Sequence, residues 1–138
     1  MSDAEGVPLV VQTTPANVPD QTQLPKLLAA RPAVQGPRGR PRRNPEAIVA
    51  DRAYGTKAMI TLVRGMRIES LMAERTSTTH GSGLGAIRYV IERSLACFSH
   101  FRRLRLCYER RGEHFQAFHE LAASLLVYSR LKSFRLSF

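Results

Sequence analysis

Two acidic residues that lie far apart in the sequence have surroundings suited to catalysis. Asp51 follows the short apolar run AIVA at residues 47–50, and Glu92 lies four residues after Arg88 in the stretch GAIRYVIERSLACF. A hard divalent cation such as Mg²⁺ binds one or two carboxylates together with phosphate oxygens of a substrate, and a pair of such ions can assist phosphoryl transfer. The two acids, in a chain rich in arginine, therefore suit metal-dependent phosphoryl transfer on a nucleic acid strand.

Each acid also has a purely structural explanation. Asp51 can cap the helix that follows it, because an aspartate oxygen accepts hydrogen bonds from the first N–H groups of a helix. Glu92 can form an ion pair with Arg88 one helical turn away. The pattern of residues by itself leaves both explanations open.

The elements around Asp51 predict an α/β arrangement. Four consecutive apolar residues at 47–50 are typical of a buried strand, and a helix is predicted from Thr56 to Gly65, followed by a possible strand at 66–71. In open α/β sheets, functional sites gather at the carboxyl ends of the strands. Asp51 would occupy such an end.

The longest helical pattern covers residues 84–101 and carries Glu92. Its apolar residues recur at helical spacing and predict one buried stripe: Leu84, Ile87, Ile91, Leu95 and Phe98. Glu92 falls on the adjoining face, so we expect it to border the core. A last amphipathic helix is predicted at 113–131, with Phe115, Phe118, Ala122 and Leu125 at helical spacing.

The first thirty residues predict a strand and a helix. VPLVVQTT at 7–14 is β-branched and apolar and follows the turn-forming DAEG, which indicates a hairpin. A hairpin needs an earlier strand, so we expect the sequence to lack a strand on its N-terminal side. Asp20 is the expected N-cap of the helix, and Pro25 weakens its first turns.

The charge balance points to nucleic acid. Lys and Arg number 21 against 11 Asp and Glu, which gives a net charge of +10 and suits a protein that neutralises phosphates. The Arg-, Pro- and Gly-rich segment 36–46, GPRGRPRRNPE, predicts a loop that is mobile unless bound. A solvated basic surface would show the same excess. No apolar run approaches the roughly 18 residues of a membrane span, and no signal peptide is recognisable, so neither a membrane partner nor export is expected.

Several segments in order resemble the C-terminal half of bacterial DDE transposases, specifically those of the insertion-sequence family numbered five. They are DAEGVPLVVQTTPANVPDQTQLPKLL, RGRPRRNPE, ADRAY, HGSGLGAIRYVIERSLACFSHFRRLRLCYERR and AFHELAASLLVYSRL. The resemblance covers nearly the whole chain. It implies that residues 1–138 are the C-terminal part of one catalytic domain with a partial ribonuclease-H-like α/β fold, in which helices flank a mixed sheet whose first strand is missing.

The resemblance also implies roles for individual residues. Asp51 corresponds to the second metal ligand and Glu92 to the third, so both are expected to be catalytic and to bind Mg²⁺ or Mn²⁺. Arg88 is the arginine of the R-x-x-x-E motif and is expected to contact a phosphate or to orient the acid. The remaining residues expected to bind DNA are Arg40, Arg42, Arg43, His80, Arg93, Arg102 and Arg103.

The sequence departs from the family pattern at three points. Gly85 stands where the family has a tyrosine, and Ser99 stands where it has a lysine or arginine. The first catalytic aspartate belongs to a strand before residue 1, because Asp3 matches a turn aspartate of the family. We therefore expect the chain to be inactive alone, as the product of a downstream reading frame or a truncated copy.

Two functions of different classes follow. The first is a part of an enzyme that cleaves the inverted-repeat ends of an insertion element and joins them to target DNA. This part is expected to assemble with an upstream-frame segment and to form an oligomer on DNA. The expected location is the bacterial cytoplasm, at the nucleoid. The second is a stand-alone basic DNA-binding or regulatory remnant of a transposase. An RNA-binding basic protein is disfavoured because it would not explain the acids at 51 and 92.

Overall fold

The computed structural model describes residues 1–36, 38–74 and 85–135, and the side chains of residues 85–88, 134 and 135 lie outside the description. The chain divides into two compact units. One combines residues 1–16 with the described residues from 85 onward, and the other contains the described residues from 17 to 74.

The central unit has α/β structure, as the sequence predicts. Strand β1 (Ala47–Ile48) pairs in parallel with strand β2 (Glu69–Ser70), and helix α2 (Lys57–Gly65) connects them. Parallel neighbours require a crossover connection, which α2 supplies. The predicted strands at 47–50 and 66–71 are therefore confirmed in shorter form, and within the described residues the sheet has two strands.

Helix α2 begins and ends where the sequence indicates. The Thr56 hydroxyl accepts a hydrogen bond from the Met59 N–H at 3.3 Å, which caps the first turn. Gly65 is the last helical residue, and the chain then turns at Arg67, which has a φ of 60°. The residue with the positive φ is thus Arg67, two residues after Gly65, the glycine predicted to end the helix.

The helix after residue 20 differs from its prediction at the start. A 3-10 helix (Asp20–Gln23) precedes helix α1 (Leu24–Ala30), and Pro19 occupies the N-cap position expected for Asp20. Pro25 lies in the first turn of α1. A proline is tolerated there because the N–H it lacks has no partner within the helix.

The core of the central unit is formed by α1, α2 and the two strand segments. Its buried apolar residues come from all of these elements: Leu24, Leu28, Ile48, Ile60, Val63, Ile68 and Met72. Val63 is completely buried and Leu28 nearly so. This small core supports the turn that follows β1.

The terminal unit is helical in its described part. It contains α3 (Gly85–Ser99), α4 (Arg102–Arg105) and α5 (Gly112–Arg135), so the helices predicted at 84–101 and 113–131 are confirmed with shifted ends. The strand expected at 7–14 does not form. Residues 2 and 8 make an isolated antiparallel bridge instead, around a turn in which the Asp3 carboxylate accepts hydrogen bonds from the N–H groups of Glu5 and Val7.

Burial in the terminal unit is lower than the helical patterns indicate. Leu95 is 64% exposed and Leu125 is 47% exposed, although both belong to stripes predicted to be buried. Among the described residues of this unit, Ala122 alone is an apolar residue that is buried. Amphipathic spacing shows which side of a helix can be covered, whereas the extent of burial depends on neighbouring elements.

Within the described residues, no helix combines the length and the apolar character needed to cross a membrane.

Candidate active site and nucleic-acid interface

Asp51 lies three residues beyond β1, on the side of the carboxyl end of this parallel strand. The main chain of Ile48 accepts a hydrogen bond from the Leu71 N–H at 2.9 Å, and the chain then leaves the sheet and enters a 3-10 helix (Arg52–Tyr54). The Asp51 side chain is exposed, and its Oδ1 accepts a hydrogen bond from the Arg52 N–H at 2.7 Å. The predicted position at a strand end is therefore confirmed.

The capping explanation for Asp51 applies to the short helix only. Asp51 is the N-cap of the 3-10 helix, whereas Thr56 caps α2. A single local hydrogen bond to one carboxylate oxygen does not bury the group. The carboxylate remains accessible to a ligand from solvent.

Tyr54 and Asp20 complete the surroundings of Asp51. Burial raises the pKa of the Tyr54 phenol above its ordinary value of 10.0, and the negative charges of Asp20 and then Asp51 raise this pKa further. Both carboxylates therefore act on the same phenol. Sequence reasoning assigned Asp20 to a helix cap and gave Tyr54 no role, because their proximity depends on the packing of two segments thirty residues apart. The feature of the sequence that could have indicated Tyr54 is its place in the ADRAY segment, three residues after Asp51.

Glu92 lies on α3 and is exposed, which corrects the expectation that it borders the core. Two residues after Glu92, Ser94 attaches helix α3 to the N-terminal turn. The Ser94 hydroxyl lies 2.8 Å from the Val90 carbonyl and 3.0 Å from the Gly6 carbonyl, which are its two acceptors. Arg88 lies on the same helix with its side chain outside the description, and His80 lies outside the described residues.

Asp51 and Glu92 belong to different units. Carboxylate oxygens have the right chemistry for Mg²⁺ or Mn²⁺. Among the residues that the structure describes, however, no group of three or more His, Cys, Asp or Glu side chains is placed to hold a metal ion. The described part of each unit thus presents no complete metal centre by itself.

Hydrogen bonds connect the described part of the loop at 38–46 to the segment before it. Val34 and Arg42 exchange two main-chain hydrogen bonds of 2.9 Å. The Arg31 guanidinium reaches the carbonyls of Leu28 and Arg43 and the side chain of Asn44. Arg40, Arg42 and Arg43 are exposed.

In the terminal unit, the basic residues predicted to bind DNA whose side chains are described lie on α3 and α4. Arg93, Arg102 and Arg103 are exposed. The Arg103 guanidinium lies 4.8 Å from the centre of the Phe118 ring and 3.3 Å from Glu109, so this arginine also holds α4 against α5. Arg105, exposed on the same helix, was missed by sequence reasoning although FRRLR contains it.

Comparison with known proteins identifies the relatives of this chain. The transposase DDE domain family matches residues 1–127. A putative transposase for insertion sequence element IS402 from Burkholderia cepacia is 42% identical over 132 residues, which cover 96% of this chain and 62% of the relative. The chain thus spans about three fifths of that relative's length. No solved structure shows a significant match. The chain belongs to the transposase DDE domain family.

Proposed function

We propose that this chain acts in DNA transposition, as the part of a transposase that carries Asp51 and Glu92. The complete enzyme would cleave the ends of an insertion element and join them to target DNA. The observation that carries the proposal is the exposed carboxylate of Asp51 three residues after a parallel strand, in a chain of the transposase DDE domain family. The R-x-x-x-E spacing of Arg88 and Glu92 supports the assignment to the insertion-sequence family numbered five.

The proposal extends to the fold. The parallel pair β1–β2 with its crossover helix α2 would be part of a ribonuclease-H-like sheet. That sheet needs more strands than the two described here. We propose that a segment preceding this sequence in the complete transposase supplies a first strand and its aspartate.

Asp51 and Glu92 are proposed as two of the three carboxylates that hold Mg²⁺ or Mn²⁺. Such a metal, when bound, activates an attacking oxygen and stabilises a leaving oxygen. The part played by this chain is to offer oxygen donors from two exposed side chains. With two of three carboxylates, the chain is expected to be inactive until the third is supplied.

The basic side chains would bind and orient the DNA strand. Guanidinium groups suit this role because they contact phosphate oxygens through two parallel hydrogen bonds. The proposed DNA-binding residues are Arg40, Arg42, Arg43, His80, Arg88, Arg93, Arg102, Arg103 and Arg105. We further propose that the protein acts in the bacterial cytoplasm at the nucleoid, as an oligomer on DNA.

The test joins this chain to the segment encoded immediately upstream and supplies a duplex with the sequences that flank the gene. Magnesium-dependent cleavage at the element ends is expected, and Asp51→Asn or Glu92→Gln should abolish it. Asp3→Asn and Glu113→Gln are matched controls, because Asp3 belongs to a turn and Glu113 forms an exposed pair with Arg111. Undiminished cleavage by either site variant would contradict the ligand assignment.

A binding role is the second candidate, favoured by the incomplete metal centre among the described residues. In that case the chain would bind the same DNA and compete with a complete transposase without cleaving. The same experiment distinguishes the two functions. Binding without cleavage, with or without the upstream segment, would support the regulatory role.

A further inference from the structure

A small hairpin in the central unit carries four exposed arginines. Val34 and Arg42 exchange two main-chain hydrogen bonds of 2.9 Å across it. Gly39, between these two residues, has a φ of 96°, a left-handed conformation that glycine adopts without strain. We call the described residues 34–36 and 38–44 the basic hairpin. Its exposed arginines are Arg38, Arg40, Arg42 and Arg43.

Arg31 joins the basic hairpin to the end of helix α1. Its Nε donates a hydrogen bond to the Arg43 carbonyl at 2.7 Å, and its Nη2 donates to the side-chain oxygen of Asn44. Its Nη1 donates to the Leu28 carbonyl, which lies in the last turn of α1, where carbonyl groups lack partners within the helix. All three guanidinium nitrogens thus bind acceptors of the protein, which suits a residue that holds other residues in place.

Asn44 extends this connection to helix α2. Its side-chain nitrogen donates a hydrogen bond to the Met66 carbonyl at 2.8 Å, while its side-chain oxygen accepts from Arg31. Met66 is the C-cap of α2 and lies between the buried residues Val63 and Ile68. The base of the basic hairpin is therefore attached to the ends of two helices that contribute to the core of the central unit.

This attachment matters for binding, because a flexible segment loses conformational entropy when it binds a ligand. Arginines on a hairpin whose main chain is already held would meet phosphates at a smaller entropic cost than the same arginines on a mobile loop. A lysine at position 31 would keep the positive charge, but it lacks the planar fork of donors that makes the three hydrogen bonds. The effects of charge and of position can thus be separated at this residue.

We propose that Arg31 and Asn44 are positioning residues for DNA binding. They hold the basic hairpin in the conformation that meets the phosphates of a duplex, and they do not contact DNA themselves. This role rests on the proposed function, in which arginines of the same hairpin bind DNA. A residue that contacts DNA determines how many phosphates are bound, whereas a positioning residue determines the entropic cost of binding them.

Salt-dependent DNA binding by the full 138-residue chain separates these two kinds of residue. Fluorescence anisotropy with a labelled duplex of the sequence that flanks the gene gives the Kd at each salt concentration. Arg31→Lys and Asn44→Ala should each raise the Kd about tenfold and leave the slope of log K against log salt unchanged. Arg40→Ala, which removes a contact, should lower this slope by about 1. Arg64→Lys, at an exposed arginine of α2 outside the proposed DNA-binding set, is the matched control and should change neither quantity.

Gly39→Ala tests the position of the hairpin without changing either positioning residue. A Cβ at residue 39 meets no atom within 4 Å, so the variant strains the left-handed main chain and removes no contact. It should also raise the Kd without changing the slope. Hydrogen exchange of the Arg42 amide should accelerate in this variant, in Arg31→Lys and in Asn44→Ala. Circular dichroism of all three should equal that of the native chain, and Gly39→Ala decides the test if another variant loses helix content.

The outcomes distinguish this role from the proposed function. If Arg40→Ala lowers the slope while Arg31→Lys and Asn44→Ala bind DNA with the native Kd, the positioning role is wrong and DNA binding by the hairpin stands. If Arg40→Ala changes neither the Kd nor the slope, the hairpin does not bind DNA, and both the positioning role and the proposed function of this loop are wrong. A native Kd in Gly39→Ala, together with faster exchange of the Arg42 amide, would also overturn the positioning role.

Discussion

Gly55 packs so closely against the carbonyl group of Ala73 that a Cβ atom on residue 55 would overlap the carbonyl oxygen. Gly55 is buried and directly follows the 3-10 helix that begins after Asp51. Ala73 follows β2 and the buried Met72. The turn that presents Asp51 is thus pressed against the segment beyond β2, and the atom that must move to admit a side chain belongs to the main chain.

Gly55→Ala should lower the free energy of unfolding by about 1–3 kcal/mol, because the added methyl group forces a shift of the backbone. Urea denaturation measures the loss. Gly65→Ala is the control, because a Cβ there meets no atom within 4 Å; it should be neutral or stabilising by up to about 1 kcal/mol through helix propensity. Equal stability of the two variants would contradict the close approach.

Thr56→Ala should destabilise the protein by about 1 kcal/mol, because it removes the acceptor for the Met59 N–H at the start of α2. Thermal unfolding followed by circular dichroism measures this change. Thr61→Ala, at an exposed position within the same helix, is the matched control and should have little effect. A larger loss at position 61 than at position 56 would argue against the cap.

Asp51→Asn should lower the pKa of Tyr54 toward 10.0, because it removes one of the two negative charges that oppose ionisation of the phenol. Ultraviolet titration of phenolate absorbance, in a chain with Tyr89, Tyr108 and Tyr128 changed to Phe, isolates this group. Asp20→Asn should act in the same direction. Asp3→Asn should leave the pKa unchanged, and a shift in that variant would show that the effect is not local.

The raised pKa of Tyr54 also predicts how stability depends on alkaline pH. The pKa of Tyr54 is higher in the folded protein than in the unfolded chain. The contribution of Tyr54 to the free energy of unfolding is therefore complete below pH 10.0 and is lost as the pH rises through the folded pKa. Tyr54→Phe should reduce this loss. The difference is measured by urea denaturation at a series of pH values, and identical alkaline profiles would contradict it.

Gln116→Leu should release the N-terminal segment from α5. The Gln116 side chain accepts hydrogen bonds from the N–H and hydroxyl of Thr13 at 2.7 and 2.9 Å and donates to the Val11 carbonyl at 2.8 Å. Leaving these partly buried groups unpaired costs roughly 1–3 kcal/mol. Hydrogen exchange of the Thr13 amide should accelerate. Gln12→Leu, at an exposed position, should not change the exchange rate.

Arg102→Ala should reduce the salt dependence of DNA binding. Removing one phosphate contact lowers the slope of log K against log salt by about 1. Fluorescence anisotropy with a labelled duplex measures this slope. Lys57→Ala, which changes an exposed cation outside the proposed DNA-binding set, is the control. Salt-independent binding would contradict the phosphate role.

Local features of the sequence predicted the central unit well. The threonine cap, the terminal glycine and the apolar run before Asp51 each act within a few residues, so α2 and the parallel strands could be placed in advance. The position of Asp51 after a strand followed from the same reasoning, whereas its exposure is a finding of the structure. The family resemblance added the expected partner of Asp51 and the order of the motifs.

The contacts between distant segments could not be predicted. The effect of Asp20 on Tyr54 depends on how the two short 3-10 helices meet, and the exposure of Leu95 depends on what covers α3. The strand at 7–14 failed for a similar reason. Its residues favour extended structure, but their partners, which include an isolated bridge to Ser2, the main chain of Met1 and the side chain of Gln116, do not make a strand.

The Arg31 guanidinium and the main-chain bridge between Val34 and Arg42 together hold the loop at 36–46. Neither restraint uses the side chains of Arg40, Arg42 or Arg43, which point to solvent. Arg42 also forms an ion pair with Glu46 at 2.9 Å, so we expect substitutions at Arg40 and Arg43 to alter the charge that the loop presents without disturbing these hydrogen bonds. If this loop contacts DNA as proposed, its exposed side chains can diverge among related elements while the hydrogen bonds that hold its main chain stay the same.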